Sequence, residues 1–208
     1  MVRTSSTMLP LGSELPSFEL DLVPGTKIGK NFSLNGKAKL NNKMISDKPL
    51  LLMVICAHCP FVKHIEAGIS SLNEDYKEYI QFIAVSSNSL ETHPQDGPHH
   101  LAQQSNDLNW DFPYLIDLEQ SFAKSIKAAC TPDFFLFAEA KSPQNTHKLV
   151  YRGQLDDSRP GNSVLVTGKD IREAFNALLR GGKVPTDQKP SIGCNIKWHP
   201  GNEPNWFG

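Results

Sequence analysis

Apolar positions along the chain fall into short unbroken runs, separated by stretches with helical spacing. Leu50-Leu-Leu-Met-Val-Ile55, opened by Pro49, is continuous and suits a strand buried on both faces. Phe61, Ile65, Ile69, Leu72 and Tyr76 then recur in steps of three and four, which predicts a helix from Pro60 to about Tyr79. Pro60 is well placed at its first position, where the missing N–H would have no partner anyway. Ile80–Val85 is a second buried run, and Phe112–Ile116 a third, shorter one. Short helices are expected around 99–107 and near 119–128. Phe134–Phe137 and Lys148–Tyr151 predict two strands close enough in sequence to pair antiparallel. Ile171, Ala174, Phe175, Leu178 and Leu179 mark a last helix, ended by Gly181-Gly182.

The remaining segments are quieter. Phe18–Leu22 alternates apolar and acidic residues, a half-exposed strand pattern. Residues 1–17 read as an irregular lead-in, 25–48 mostly as loop, and SIGCNIKWHPGNEPNWFG as a tail without periodicity. No repeat or linker divides the chain, so one domain is expected over residues 1–208. Strand–helix alternation followed by two strands and a helix is the signature of an α/β fold. Strands 50–55, 80–85, 112–116, 134–137 and 148–151 should share one central mixed sheet, with 50–55 in its middle and helices on both faces.

Charge and composition exclude several classes. The 208 residues carry 21 basic and 22 acidic side chains, for a net charge of -1, with no Lys/Arg run. A nucleic-acid partner is therefore not expected. The longest apolar run, Leu50–Ala57, is far too short to span a bilayer, so no membrane partner is expected either. The first residues lack the apolar core of a secretory signal, and a cytoplasmic setting follows as the default. Thiols stay reduced there, so closely spaced cysteines point to catalysis or metal rather than structural bridges.

Two stretches carry the chemistry. In Cys56-Ala-His-Cys59, two thiols lie three apart where the central strand meets the helix. Cys59 directly precedes Pro60 and so takes the N-cap position, where free N–H groups and the helix dipole favour a thiolate. Against this redox reading stand two alternatives. The cysteines are inert core residues, or Cys56, His58, Cys59 and His64 form half of a metal site completed by His99-His100 or Cys194. The redox reading is preferred, with no metal and no bound cofactor. The second stretch is Cys130-Thr131-Pro132, where a proline enters an apolar strand and removes one ladder donor. A cis Thr131–Pro132 bond there would leave neighbouring backbone free for a substrate.

These segments carry a resemblance. A strand, a cysteine at a helix N-terminus, and a Thr-Pro leading into a later strand resemble the thioredoxin-like superfamily. CAHCPFVKHI, CTPDFFLF, YRGQLDD and SIGCNIKW are similar to its peroxiredoxin-like branch, the alkyl hydroperoxide reductase/thiol-specific antioxidant family. The resemblance runs from about residue 12 to about 200 and implies a thioredoxin-like fold. Aligning the family's active-site lysine with Lys63 places the nucleophile on Cys59 and the family's second cysteine on Val62. The two cysteines here are thus shifted upstream of the thioredoxin pair, and Cys56 or Cys130 must act as resolving thiol. Thr131 and Pro132 match the segment that lies against the active thiol and binds substrate. The peroxidase pattern Pro-x-x-x-Thr-x-x-Cys is broken: counting back from Cys59 gives Leu52 and Cys56, and from Cys56 gives Pro49 but Met53. Thr-Pro also stands where the peroxidase arginine would approach.

The function implied is a thiol–disulfide oxidoreductase with an antioxidant role. Its substrate is a protein or small-molecule disulfide or a hydroperoxide, and an external thiol reductant restores it. A hydroperoxide-reducing enzyme is the alternative, and a non-catalytic metal- or partner-binding module is the alternative of another class. Arg152 and the pair Asp156-Asp157 read as a surface ion pair, and Trp198 and Trp206 as packing on the core. Cys194 lies far along the chain, in a segment able to fold back toward the site, and its role is open.

Overall fold

A computed structural model describes residues 3–34, 36–140 and 146–207. In chain order the strands and helices are β1 (Arg3–Ser5), β2 (Glu19–Leu22), β3 (Lys39–Asn41), β4 (Leu50–Val54), α1 (Pro60–Tyr76), β5 (Gln81–Ser86), α2 (Pro98–Asp107), β6 (Tyr114–Ile116), α3 (Ser121–Ser125), β7 (Cys130–Thr131), β8 (Asp133–Ala138), β9 (Lys148–Gly153), α4 (Lys169–Leu179) and β10 (Ile192–Asn195). Seven strands form one mixed sheet in the order β3-β2-β6-β5-β4-β8-β9. β4 runs parallel to β5 and antiparallel to β8, so the continuous apolar run lies inside the sheet as expected. Every residue of β4 is fully buried because both faces of the sheet are covered.

Alternate residues of β4 feed two cores. Leu51 and Met53 pack with Phe61, Val62, Ile65 and Ile69 of α1 and with Ile171 and Phe175 of α4. Leu50, Leu52 and Val54 face the other way, toward Phe122 and Ala123 of α3 and Phe18 just before β2. Burying side chains of this size stabilises by about 1.5–3 kcal/mol each. The helix spacing of α1 thus serves the first core, and the strand period of two serves both.

Three segments differ from the sequence reading. The stretch 25–48 is not all loop, since β3 pairs with β2 through Leu20↔Leu40. The lead-in and the tail, both expected to be irregular, supply β1 and β10. With β7 these make a second, three-stranded sheet in the order β1-β10-β7. Pro132 stands between the sheets: β7 before it belongs to one and β8 after it to the other. A residue without an N–H suits that switch, because it asks for no ladder partner on either side.

Candidate functional site

The end of β4 and the start of α1 meet the end of β7 and the middle of β10. Cys59 is the N-cap residue of α1 and Pro60 its first residue, as the spacing implies. The Thr131–Pro132 bond is cis. The carbonyl oxygen of Thr131 lies 3.2 Å from Cys59 Sγ and accepts from the thiol while it is protonated. Thr131 Oγ1 lies 3.5 Å from Cys56 Sγ. Cys56, Cys59 and Cys130 have no exposed surface, and Cys194 keeps only 3%. All four are free thiols.

Cys59 is the one thiol whose ionisation is favoured. Hydrogen bonds from Cys194 and then Cys56 pull its pKa far down; burial works against them and is outweighed. The backbone N–H of Val62, in the first turn of α1, also lowers the Cys59 pKa. Cys56 is pushed up, first by burial, then by its bond to Cys59 and the charge of Asp96. Cys194 is pushed up chiefly because it donates to Cys59, with burial second. Cys130 is raised by burial first and then by Asp133. Its Sγ lies 3.6 Å from the carbonyl oxygen of Pro132 and 4.0 Å from that of Ser191. The sequence-expected residues Cys56, Cys59, Thr131 and Pro132 therefore converge, and Cys130 stands beside them with its thiol bonded elsewhere.

Of two further members, Cys194 was noted in the sequence without a role and Asp96 was not read at all. Cys194 reaches it because β10 pairs antiparallel with β7 in the register Cys194↔Thr131. Asp96 comes from the polar segment ETHPQDGPHH, is 1% exposed, and braces the loop between β4 and α1. Its Oδ1 accepts from the backbone N–H of Ala57 at 2.9 Å and of His58 at 3.0 Å. Its Oδ2 accepts from Asn88 Nδ2 at 2.7 Å and lies 2.5 Å from His58 Nδ1. Burial would raise the Asp96 carboxyl, but these bonds, led by His58 and Asn88, hold it below the usual carboxylate range. Its only signal in the sequence is an acid between two prolines, which many solvent-exposed turns share.

The metal reading does not assemble as drawn. Among the described residues, only Cys56, His58 and Asp96 bring possible ligand atoms within 4.8 Å of one another. Both Asp96 oxygens are already engaged by the donors above. His64 Nε2 instead lies 2.7 Å from Ser158 Oγ, and His99 and His100 sit exposed on α2. The expected surface ion pair is also absent. Arg152 donates to the carbonyl of Leu9 and to Gln188 Oε1, while Asp156 is buried and accepts from the N–H groups of Ser158, Thr167 and Gly168. Asp157 pairs with Lys189. Arg152 is used to tie the lead-in to the segment after α4, a need invisible in local sequence. Trp198 is buried and Trp206 half-buried, in keeping with packing.

Comparison with known proteins bears on the family and the fold. The profile of the AhpC/TSA family matches residues 11–150. An uncharacterised conserved protein from Geobacillus kaustophilus is 42% identical over 96% of this chain and 98% of its own, with a TM-score of 0.84. A hypothetical protein from Sinorhizobium meliloti 1021 is 36% identical over 94% and 98%, at 0.82. AhpC from Mycobacterium bovis is 17% identical over 86% and 97%, at 0.54, a likeness of fold. No curated protein matches the chain.

Proposed function

The chain belongs to the AhpC/TSA family, and from that premise we propose that it is a thiol–disulfide oxidoreductase with Cys59 as its nucleophile. The observation that carries this reading is the setting of Cys59. It stands at the N-cap position of α1, shares a buried cluster with Cys56 and Cys194, and touches the Thr131 carbonyl beside Pro132. A thiolate so held attacks a sulfur of a substrate disulfide, giving a mixed disulfide and releasing a thiol. Thr131 and Pro132 form the wall against which the substrate sulfur aligns. A second thiol of the protein then releases the product, and Cys56 and Cys194 are the two thiols that most lower the Cys59 pKa. Asp96 acts as a positioning residue, holding the backbone of Ala57 and His58 between the two cysteines.

No metal and no bound cofactor enter this scheme; an external thiol reductant restores the protein. We place the whole chain in one redoxin domain, in the cytoplasm, where such a dithiol is kept reduced. No helix among the described residues is long and apolar enough to cross a membrane.

Family membership favours one second reading, the reduction of hydroperoxides through a Cys59 sulfenic acid. Cys56 and Thr131 then stand where peroxidases place threonine and arginine, and neither supplies a cationic donor to the peroxide. Turnover of a disulfide and of hydrogen peroxide, measured side by side with the same reductant, separates the two. Faster disulfide turnover is expected, lost in Cys59→Ser. Peroxide turnover exceeding it by a wide margin would reverse the order of the readings.

A further inference from the structure

We propose that β10 is a built-in partner strand that keeps polypeptides off the active thiol and supplies Cys194 as its resolving thiol. The substrate is then a low-molecular-weight disulfide. The inference rests on Cys59 being the attacking residue.

A polypeptide that brings a cysteine to Cys59 must lie in extended form beside Thr131, the residue whose carbonyl touches the active thiol. That edge is taken. Cys194 pairs with Thr131 and Asn195 with Cys130. Beyond the strand, the N–H of Ile196 donates to the carbonyl of Ala129 at 3.0 Å. The fit is close: a Cβ on Gly193 would lie 2.0 Å from the Thr131 carbonyl oxygen, so only glycine allows the approach. The other edge of β10 is held by β1, through Arg3↔Cys194, Thr4↔Gly193 and Ser5↔Ile192. A strand paired on both edges does not give way to an incoming chain without losing both sets of bonds. Next to Pro132 a shallow opening remains, lined by Phe61, Phe134, Ser191 and Ile192, and a folded protein does not enter it.

The same pairing puts a thiol where the incoming cysteine would be. Cys194 stands opposite Thr131, the residue whose carbonyl touches Cys59. Position separates it from Cys56, whose Sγ lies 3.5 Å from Thr131 Oγ1 and 3.9 Å from His58 Nδ1 and is engaged by both. In the first step the Cys59 thiolate attacks R–S–S–R, the S–S bond breaks, and RS⁻ leaves and takes a proton from water. Cys194 then loses its proton and attacks the Cys59 sulfur, expelling the second RS⁻. The sum is one small disulfide reduced to two thiols and one Cys59–Cys194 bridge formed; an external dithiol opens the bridge.

The test uses the full chain, hydroxyethyl disulfide and insulin. The reduced protein is mixed with one equivalent of hydroxyethyl disulfide, quenched in acid, alkylated and mapped by mass spectrometry. A Cys59–Cys194 bridge is expected, and Cys194→Ser should instead hold a mixed disulfide of Cys59 with mercaptoethanol. With dithiothreitol as reductant, kcat/KM for hydroxyethyl disulfide should exceed that for insulin by at least about a hundredfold. Gly193→Ala, which crowds β10 off Thr131, should narrow that ratio. If Gly193→Ala does not fold, the wild-type ratio and the Cys194→Ser adduct still decide. A Cys56–Cys59 bridge, or insulin turnover comparable with that of the small disulfide, overturns this proposal and leaves Cys59 as nucleophile. Absence of any Cys59 adduct overturns both.

Discussion

Cys59 and Cys130 both have no exposed surface, and they lie on either side of the same Thr131–Pro132 segment, yet their acidities move in opposite directions. Burial alone disfavours a thiolate, which is the whole story for Cys130 before the added repulsion of Asp133. At Cys59 the same penalty is outweighed by the neighbouring thiols Cys194 and Cys56, which lower its pKa most. Reactivity here is set by the donors around a sulfur rather than by its exposure. A cysteine that caps a helix is promising, and one that also faces two thiols is equipped.

The largest effect that comparison predicts is on turnover. Cys59→Ser should lower disulfide reduction by roughly a thousandfold or more, while Cys130→Ser should change it little. Equal losses in the two variants would erase the distinction. A middle-sized effect is expected from the donor itself. Cys194→Ala removes the thiol that lowers the Cys59 pKa most, so the Cys59 pKa should rise. The thiolate absorbance near 240 nm, followed against pH, reads that shift directly. An unchanged titration would mean that the helix N-terminus alone sets the acidity.

The smallest effect concerns the far side. Asp133 is 1% exposed, its Oδ2 has no partner, and burial raises its carboxyl well above the usual range. A carboxyl raised on folding keeps its stabilising contribution below the unfolded value of about 3.9, and that contribution declines as pH climbs toward the folded value. Asp133→Asn should therefore flatten the decline in stability above about pH 4 and add about 1 kcal/mol at pH 7. Urea melts of both proteins across pH 4–8 measure it. A variant less stable than the parent at pH 7 would show that the Asp133 charge is useful after all.

Much of this was legible in the sequence where physics acts locally. The run 50–55 and the three-and-four spacing after Pro60 mark β4 and α1, because each buries a regular face. The sharp order of strand, Cys59 and Pro60 then marks the N-cap. What stayed hidden is non-local. β10 is four residues containing Gly193, with no alternation, and becomes a strand only because β1 and β7 offer it two edges. Cys194 was for that reason noted without a role. Asp96 hid in a turn that looks solvated, since its donors are backbone groups of Ala57 and His58 nearly forty residues earlier.

The central claim is that Cys59 is a thiolate at pH values where its neighbours are thiols. Reduced protein should be treated with substoichiometric iodoacetamide at pH 6 and at pH 9, and each cysteine quantified by peptide mass spectrometry. At pH 6 the label should fall on Cys59 almost alone, and the other three should gain it only at pH 9 or on unfolding. Label on Cys56 or Cys130 before Cys59 at pH 6 would contradict the account.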